Sequence, residues 1–490
     1  MDWFIAENSW LARTLFQRSL AAVYLVAFVV AANQYRALLG ERGLTPARRF
    51  VESTSFRRSP SLLHLYHSDR AFLGVAWGGA ALSLATVAGL TDAIPLAPAM
   101  LVWGVLWLLY LSIVNVGQRW YGFGWESLLL ETGFLAIFLG NTDTEPPILT
   151  LYLLWWLLFR LEFGAGLIKL RGDQCWRDLT CLYYHHETQP MPGPFSWYFH
   201  HLPRPLHRVE VLANHFTQLV VPLALFAPQP VSGTAATVMI VTQLWLVISG
   251  NFSWLNWLAI VLACSALPDS WLAPVLPGSA DHAAGAETPV AFVVAVCVVT
   301  AAVAVLSYWP VANMLSRNQR MNTSFNRWHL VNSYGAFGSV TKTRYEIVIE
   351  GTHDEHLTQH TTWQEYEFKG KPGDPGRRPR QFAPYHLRLD WLMWFAALSP
   401  SYAEPWFRTL AQRLLEGDRH VSRLLRRDPF SGNPPRFVRA LLYRYRFTTR
   451  AEHKQTRDWW VREPVGEFLP PVTLRRVPHA TTFGPPRIIP

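Results

Sequence analysis

The sequence predicts an α-helical polytopic membrane domain of about nine spans, followed by a C-terminal α+β extramembrane domain. Three observations carry this expectation. Half of the 490 residues are hydrophobic and only 16% are charged, where a soluble domain carries about 25%. The apolar runs crowd into residues 20–308, and most of the charge lies after Asn318. Past that point long apolar runs give way to the alternation of strands. The division falls at residue 310, with a transmembrane domain over 1–310 that includes an extramembrane loop at 170–209, and an α+β domain over 311–490.

The spans read 14–34, 71–90, 96–116, 120–140, 147–169, 210–228, 233–250, 252–267 and 289–308, each near the ~20 residues that a ~30 Å hydrocarbon core requires. The first is not a secretory signal, because no small-residue cleavage site clearly follows it and Gln17 and Arg18 precede a span of retained character. The eighth is short and reads as re-entrant or tilted. Trp120, Tyr121, Trp254, Trp257, Tyr308 and Trp309 at span ends fit an interfacial aromatic belt. The net charge of +10 comes mostly from arginine. With no zinc-finger, helix-turn-helix or RNP pattern, it belongs to membrane flanks, and no nucleic-acid partner is expected.

Alternation of nine spans sorts the loops into two sides. One side takes the Arg-rich 35–70 loop, the turn with Arg119, the 170–209 stretch and everything after 310. The other takes Asp92, residues 141–147 and an acidic loop with Asp269, Asp281 and Glu287. A count of arginines alone puts the first side in the cytoplasm.

In the C-terminal domain, residues 343–351 and 363–373 alternate as half-buried strands, and a third strand is expected over Leu442–Thr448. A helix begins at Asp390, and Pro405 opens another with Leu410, Leu414 and Leu415 on one stripe. The charge run at 419–428 reads as a solvated helix face. Trp363, Trp459 and Trp460 read as packing or as an interaction surface. The last residues, LPPVTLRRVPHATTFGPPRIIP, read as a Pro-rich extended tail.

Ionisable residues inside a bilayer are costly and face one another or a cavity. Here they are Glu126, Glu131, Arg160, Glu162, Lys169 and His215, joined by Asn214, Asn251 and Asn256. Glu162 and Lys169 are two turns apart on one helix face, and Lys169 is the first lysine in the chain. Two readings stand. One is a buried polar network that fixes helix register. The other is an intramembrane cavity in which Lys169 or His215 moves a proton, with Glu126 and Glu162 as further catalytic candidates.

Between spans lies RGDQCWRDLTCLYYHHETQP, residues 171–190. Cys175 and Cys181 permit a small disulfide loop in an oxidising compartment. A zinc set of Cys175, Cys181, His185 and His186 is the competing reading, but its spacing lies outside the usual patterns. Cys264 and Cys297 read as core residues. Neither CxxC nor GxSxG, Walker A or HExxH occurs, which leaves dithiol exchange, hydrolysis and nucleotide cleavage without a signature. No cofactor or metal is implied.

Several long strings are familiar. FGAGLIKLRGDQCWRDLTCLYYHHETQPMPGPFSWYFHHLP (163–203), ANHFTQLVVP (213–222), SGNFSWLNWL (249–258), NSYGAFGSVTKTRYEIVIEGT (332–352), WQEYEFKGKPGDPGRRP (363–379), PYHLRLDWLMWFAAL (384–398) and WWVREPVGEFLPP (459–471) resemble the lipase maturation factor family. The resemblance covers roughly 120–475. It implies a multi-pass protein that assists folding and assembly of secreted lipases and is associated with oxidative folding. In animals such proteins reside in the endoplasmic reticulum, with a lumenal C-terminal domain that engages the client. For a bacterial member the place would be the inner membrane, with that domain in the periplasm. It also marks a motif loop of Arg171, Asp173, Trp176, Arg177, Asp178, His185, Glu187 and Gln189. In that reading Arg171, Asp173, Arg177 and Asp178 pair across the turn, and His185, His186, Glu187 and Gln189 line the membrane-side surface. The membrane half looks distantly like the transmembrane region of vitamin K-dependent carboxylases, which implies an enzymatic alternative on a lipid, quinone or peptide. Secondary transport lacks the repeated hydropathy halves it would need.

Overall fold

The computed structural model describes residues 2–276, 288–474 and 488–489. Asp281, Glu287 and most of the Pro-rich tail lie outside them. In chain order, α1 is Trp10–Leu38, α2 Asp69–Val87 and α3 Leu96–Val116, and α4 is the shorter Gly124–Ala136. Then come α5 (Ile148–Arg171), α6 (Arg204–Phe226) and α7 (Val231–Ser249), the short α8 (Leu255–Cys264), and α9 (Val290–Leu315). Seven of these are long and apolar enough to cross a membrane.

The remaining two are short: α4 was expected as a full span, α8 as a short, re-entrant or tilted one. At 1.5 Å per residue, 13 and 10 residues reach only about 20 and 15 Å. Both nonetheless carry the chain between the same two ends of the bundle. Ahead of α4, Trp120 meets Trp406 edge to face with ring centres 5.5 Å apart. Behind it, Asn141 donates to the carbonyls of Thr91 and Ile94. Helix α4 packs among α1, α3, α5 and α8, and most residues of its non-helical flanks are buried or half-buried against protein. Irregular backbone at membrane depth is tolerated only there.

The two ends of the bundle are built differently. At one end, Asp269 caps α1 by accepting from the backbone N–H groups of Trp10, Leu11 and Ala12 at 2.8–3.2 Å, and Arg18 pairs with Asp92 at 3.0 Å. At the other end, the Arg-rich loop, the 170–209 stretch and the C-terminal residues meet. Gln34 donates to the His386 carbonyl at 2.6 Å, Arg42 pairs with Glu416 at 3.5 Å, and the Trp197 indole donates to the Thr448 carbonyl at 3.0 Å.

The C-terminal residues form an antiparallel sheet of order β2-β1-β3-β4-β5: β1 Arg344–Thr352, β2 Gln364–Glu365, β3 Phe437–Phe447, β4 Trp460–Leu474 and β5 Ile488–Ile489. Helices α10 (Arg388–Leu398) and α11 (Trp406–Leu415) pack against it. The first and third expected strands are present, each slightly displaced. The second shrinks to two residues because Gly370 and Lys371 give their N–H groups to the Asp390 carboxylate, and the Lys371 ammonium binds Glu346 at 2.7 Å. Strand β4 was not expected, since Pro464, Pro470 and Pro471 argue against a strand. The register shifts against β3 where these prolines fall, the irregularity that accommodates them. In the 419–428 run only Arg419–Ser422 is helical, and Val421, Leu424 and Leu425 turn inward.

One hydrophobic core runs through both halves, from Phe28 through Trp120 and Trp254 to Leu389 and Trp406. The expected aromatic belt therefore divides. Trp120, Tyr121 and Trp254 are buried where the C-terminal residues cover them, whereas Tyr308 and Trp309 are exposed. Trp460 is buried and Trp363 lies half-buried beneath Arg439, so packing accounts for both. Asp269→Ala removes the acceptor at the start of α1 and is expected to cost about 1–2 kcal/mol. Thermal unfolding of the purified chain in detergent reads it, and an unchanged midpoint would show that α1 does not depend on this cap.

Candidate functional site

The intramembrane polar residues do not gather into one group. They separate into three sets, each completed by residues from elsewhere in the chain. Glu126, near the start of α4, accepts from Arg388 of α10 at 2.7 Å and from the Tyr110 hydroxyl. The same guanidinium donates to the Trp120 carbonyl at 2.5 Å and lies 3.5 Å from the centre of the Tyr121 ring. His386 sits 3.6 Å from the same carboxylate. Burial, with the Arg388 charge beside it, holds His386 down at about 3, so at neutral pH the cation paired with Glu126 is the arginine.

Five residues along α4, Glu131 binds Arg160 of α5, the backbone N–H and side chain of Asn332, and the Tyr334 hydroxyl. Arg160 donates in turn to the Asn332 carbonyl at 2.7 Å. Glu126, Glu131, Arg160 and Arg388 are all buried. Charges taken this far from water persist only when paired and hydrogen-bonded. Both carboxylates of α4 therefore hold down segments that follow the last membrane helix.

The third set lies between helices. Lys169 donates to Asn214 at 2.7 Å and Gln218 at 2.8 Å. Gln218 donates to Glu162 at 3.1 Å, Gln243 donates to the other oxygen of Glu162 at 2.5 Å, and Asn256 donates to Gln243 at 2.7 Å. Glu162 and Lys169 do share a face, yet Gln218 stands between them. Sequence reasoning singled out Asn214 and Asn256 and passed over Gln218 and Gln243, which complete the chain between them. His215 is not part of this chain and bonds the Trp176 carbonyl at 3.1 Å. Asn251 is a clasp of another kind: it donates to the Arg380 carbonyl and accepts from the N–H groups of Phe382 and Ala383.

The 171–190 stretch sits under the sheet. Cys175 and Cys181 are joined as a disulfide, with Cα atoms 4.8 Å apart, and Trp176 between them donates to the Phe337 carbonyl at 2.8 Å. The charges of the turn do not pair with one another among the described residues. Arg171 binds the carbonyls of Met314 and Ser316, and Arg177 those of Leu170 and Gly172. Asp173 accepts from the Cys175 N–H and Asp178 from Gln174. Short turns expose many backbone carbonyls, and the guanidinium groups satisfy those first.

Nor do the residues after the disulfide line a surface. His185, His186 and Gln189 are buried. Arg344, fully buried in β1, donates to the carbonyls of Glu187, Gln189 and Pro190. These lie at the end of the helix Leu182–Thr188, where partial negative charge collects. Glu187 accepts from the Phe447 N–H at 2.7 Å, and burial pushes its carboxyl above the usual carboxylate range. Beside this seat is a cleft of about 300 Å³ whose lining includes Lys369, Arg377, Arg378, Arg380 and Arg426.

A family model described as the lipase maturation factor transmembrane domain matches residues 11–274, and one described as the lipase maturation factor C-terminal domain matches residues 330–470. The chain belongs to the lipase maturation factor family. It is 40% identical to lipase maturation factor 1 of Bos taurus over 96% of this chain and 90% of that protein. The figures are 41%, 96% and 89% for lipase maturation factor 1 of Homo sapiens, and 31%, 95% and 83% for lipase maturation factor 2 of Homo sapiens. No solved structure matches. Family membership and the apolar helices together make this lipase maturation factor relative an integral membrane protein.

Arg388→Met strands Glu126 in the bundle and is expected to destabilise the chain by about 3–5 kcal/mol. The double variant Glu126→Gln with Arg388→Met should recover most of that loss. Denaturant titration in detergent measures both, and a double variant no more stable than the single would mean that the pair does not govern the junction.

Proposed function

We propose that this chain assists the folding and assembly of a secreted lipase, holding its client at the C-terminal sheet while anchored in the bilayer. The observation that carries the reading is similarity along nearly the whole chain to proteins named lipase maturation factors. The architecture supports it. Arg388, Asn332 and Arg344 fix the sheet to the helices through buried pairs, so a client bound to the sheet is held at a set distance from the membrane. The basic cleft at Arg380 and Arg426 suits an acidic client segment.

The C-terminal half faces the lumen of the endoplasmic reticulum, or the periplasm in a bacterial host. Support comes from the Cys175–Cys181 disulfide, which shares that end of the bundle and persists in oxidising compartments. The enzymatic alternative has no comparable support. Its nearest candidates, Lys169 and Glu162, are engaged through Gln218, and the relatives bear maturation-factor names.

Two measurements test this. An impermeant thiol reagent applied to vesicles of known sidedness should label Cys175 and Cys181 from the lumenal or periplasmic side, and only after reduction. Labelling from the cytoplasmic side alone removes the orientation. Co-expression with a secreted lipase should raise the yield of active enzyme. Arg380→Glu with Arg426→Glu, both at exposed positions, should lower co-purification of the lipase several-fold while the chain stays folded. Lipase yield independent of the chain would overturn the reading.

A further inference from the structure

The helix Leu182–Thr188 carries two adjacent histidines that part company. His185 stacks near Phe252 and meets Phe337 edge-on. His186 points the other way, against Phe199 and toward α6. There it meets His207 and Glu210, three residues apart and so on one helix face. The nitrogens of His186 and His207 and the Glu210 carboxylate offer atoms that all lie within 4.8 Å of one another. His186 and His207 are 1% and 2% exposed.

These atoms have no hydrogen-bond partner to explain their convergence. Both nitrogens of His186, the Nδ1 of His207 and the Oε2 of Glu210 are buried and unpartnered among the described residues. Nδ1 of His207 and Oε2 of Glu210 are 3.7 Å apart. What stands behind each is equally specific. The Nε2–H of His207 donates to the His200 carbonyl at 3.4 Å, which leaves the Nδ1 lone pair facing inward. The other oxygen of Glu210 accepts from the Trp245 indole at 2.6 Å, which turns Oε2 toward the histidines. Support of this kind orients metal-binding histidines and carboxylates.

We propose that His186, His207 and Glu210 bind a divalent transition-metal ion of the zinc class, with a fourth position left to water. Two imidazoles and one carboxylate are a zinc donor set, and three protein ligands with an open position are characteristic of it. Tetrahedral bonds of about 2.0–2.1 Å separate ligand atoms by about 3.3 Å, so His207 and Glu210 need little adjustment and His186 closes the remainder. Burial holds His186 well below the usual histidine range, in the neutral form that ligates. The ion would join the loop helix to α6 and, through Trp245, to α7, at the end of the bundle that carries the sheet. The cysteines take no part, since their sulfurs are spent on each other.

The test uses the full chain purified in detergent, stripped with a chelator and returned to Zn²⁺. One zinc per chain should remain after desalting, and the thermal midpoint should rise relative to the stripped protein. His207→Gln and Glu210→Gln should lose the bound zinc. Trp245→Phe, at a partly exposed position where folding is not at stake, should weaken zinc binding by about 10–100-fold. The double variant Cys175→Ser with Cys181→Ser should keep it. Zinc no higher than in a protein-free blank, equal zinc in the wild type and Glu210→Gln, or loss of zinc only in the cysteine variant would each overturn the site.

Discussion

A carboxylate carried into a helix bundle must find a cation or a dense set of donors, and Glu126 finds its cation 262 residues further along the chain. That requirement organises the molecule. Arg388 cannot reach Glu126 unless α10 lies across the end of the bundle, and once there it covers Trp120, Tyr121 and Trp254. Glu131 makes the same demand of Asn332 and Tyr334. Membrane half and C-terminal half consequently share one core. The sheet is no pendant module on a flexible stalk, because the groups that would let it swing away are the ones neutralising buried charge.

How much of this was legible in the sequence depends on whether a feature's cause is local. The long apolar helices and the alternation of β1 depend on neighbouring residues, and they were found close to their true limits. Glu126, Glu131 and Glu162 were visible as costly residues, and Arg160 with them, yet most of their partners were not. Those partners lie far along the chain, or, as with Gln218 and Gln243, on other helices whose facing sides the local pattern does not fix. Trp120 and Trp254 misled for a related reason: tryptophan at a span end serves an interface or a buried junction equally well, and only the covering chain decides. Strand β4 was hidden by its prolines, which a strand accepts only where its register breaks.

The same distinction holds for the 171–190 stretch. Its density of polar residues was conspicuous, but the reading that went with the family resemblance paired its charges with one another. Instead several of them reach outward. Arginines take carbonyls of preceding and following segments, Glu187 takes a strand N–H, and the carbonyls at the end of the helix Leu182–Thr188 take Arg344. A loop that looked like a site is a seat. His186 alone among these points toward unshared lone pairs, and its companions His207 and Glu210 lie one helix away, beyond any motif within the loop.

The distance between Glu126 and Arg388 also has a meaning in time. A ribosome adding about 5–20 residues per second delivers the arginine roughly 13–50 seconds after the glutamate has been made. Glu131 waits for Asn332 across 201 residues. Throughout that interval Glu126 has the Tyr110 hydroxyl but no cation, while Glu131 has Arg160 and lacks its remaining donors. A nascent chain that stops before residue 388 never supplies the cation of Glu126, so the last segments to emerge are also the ones that certify the bundle as finished.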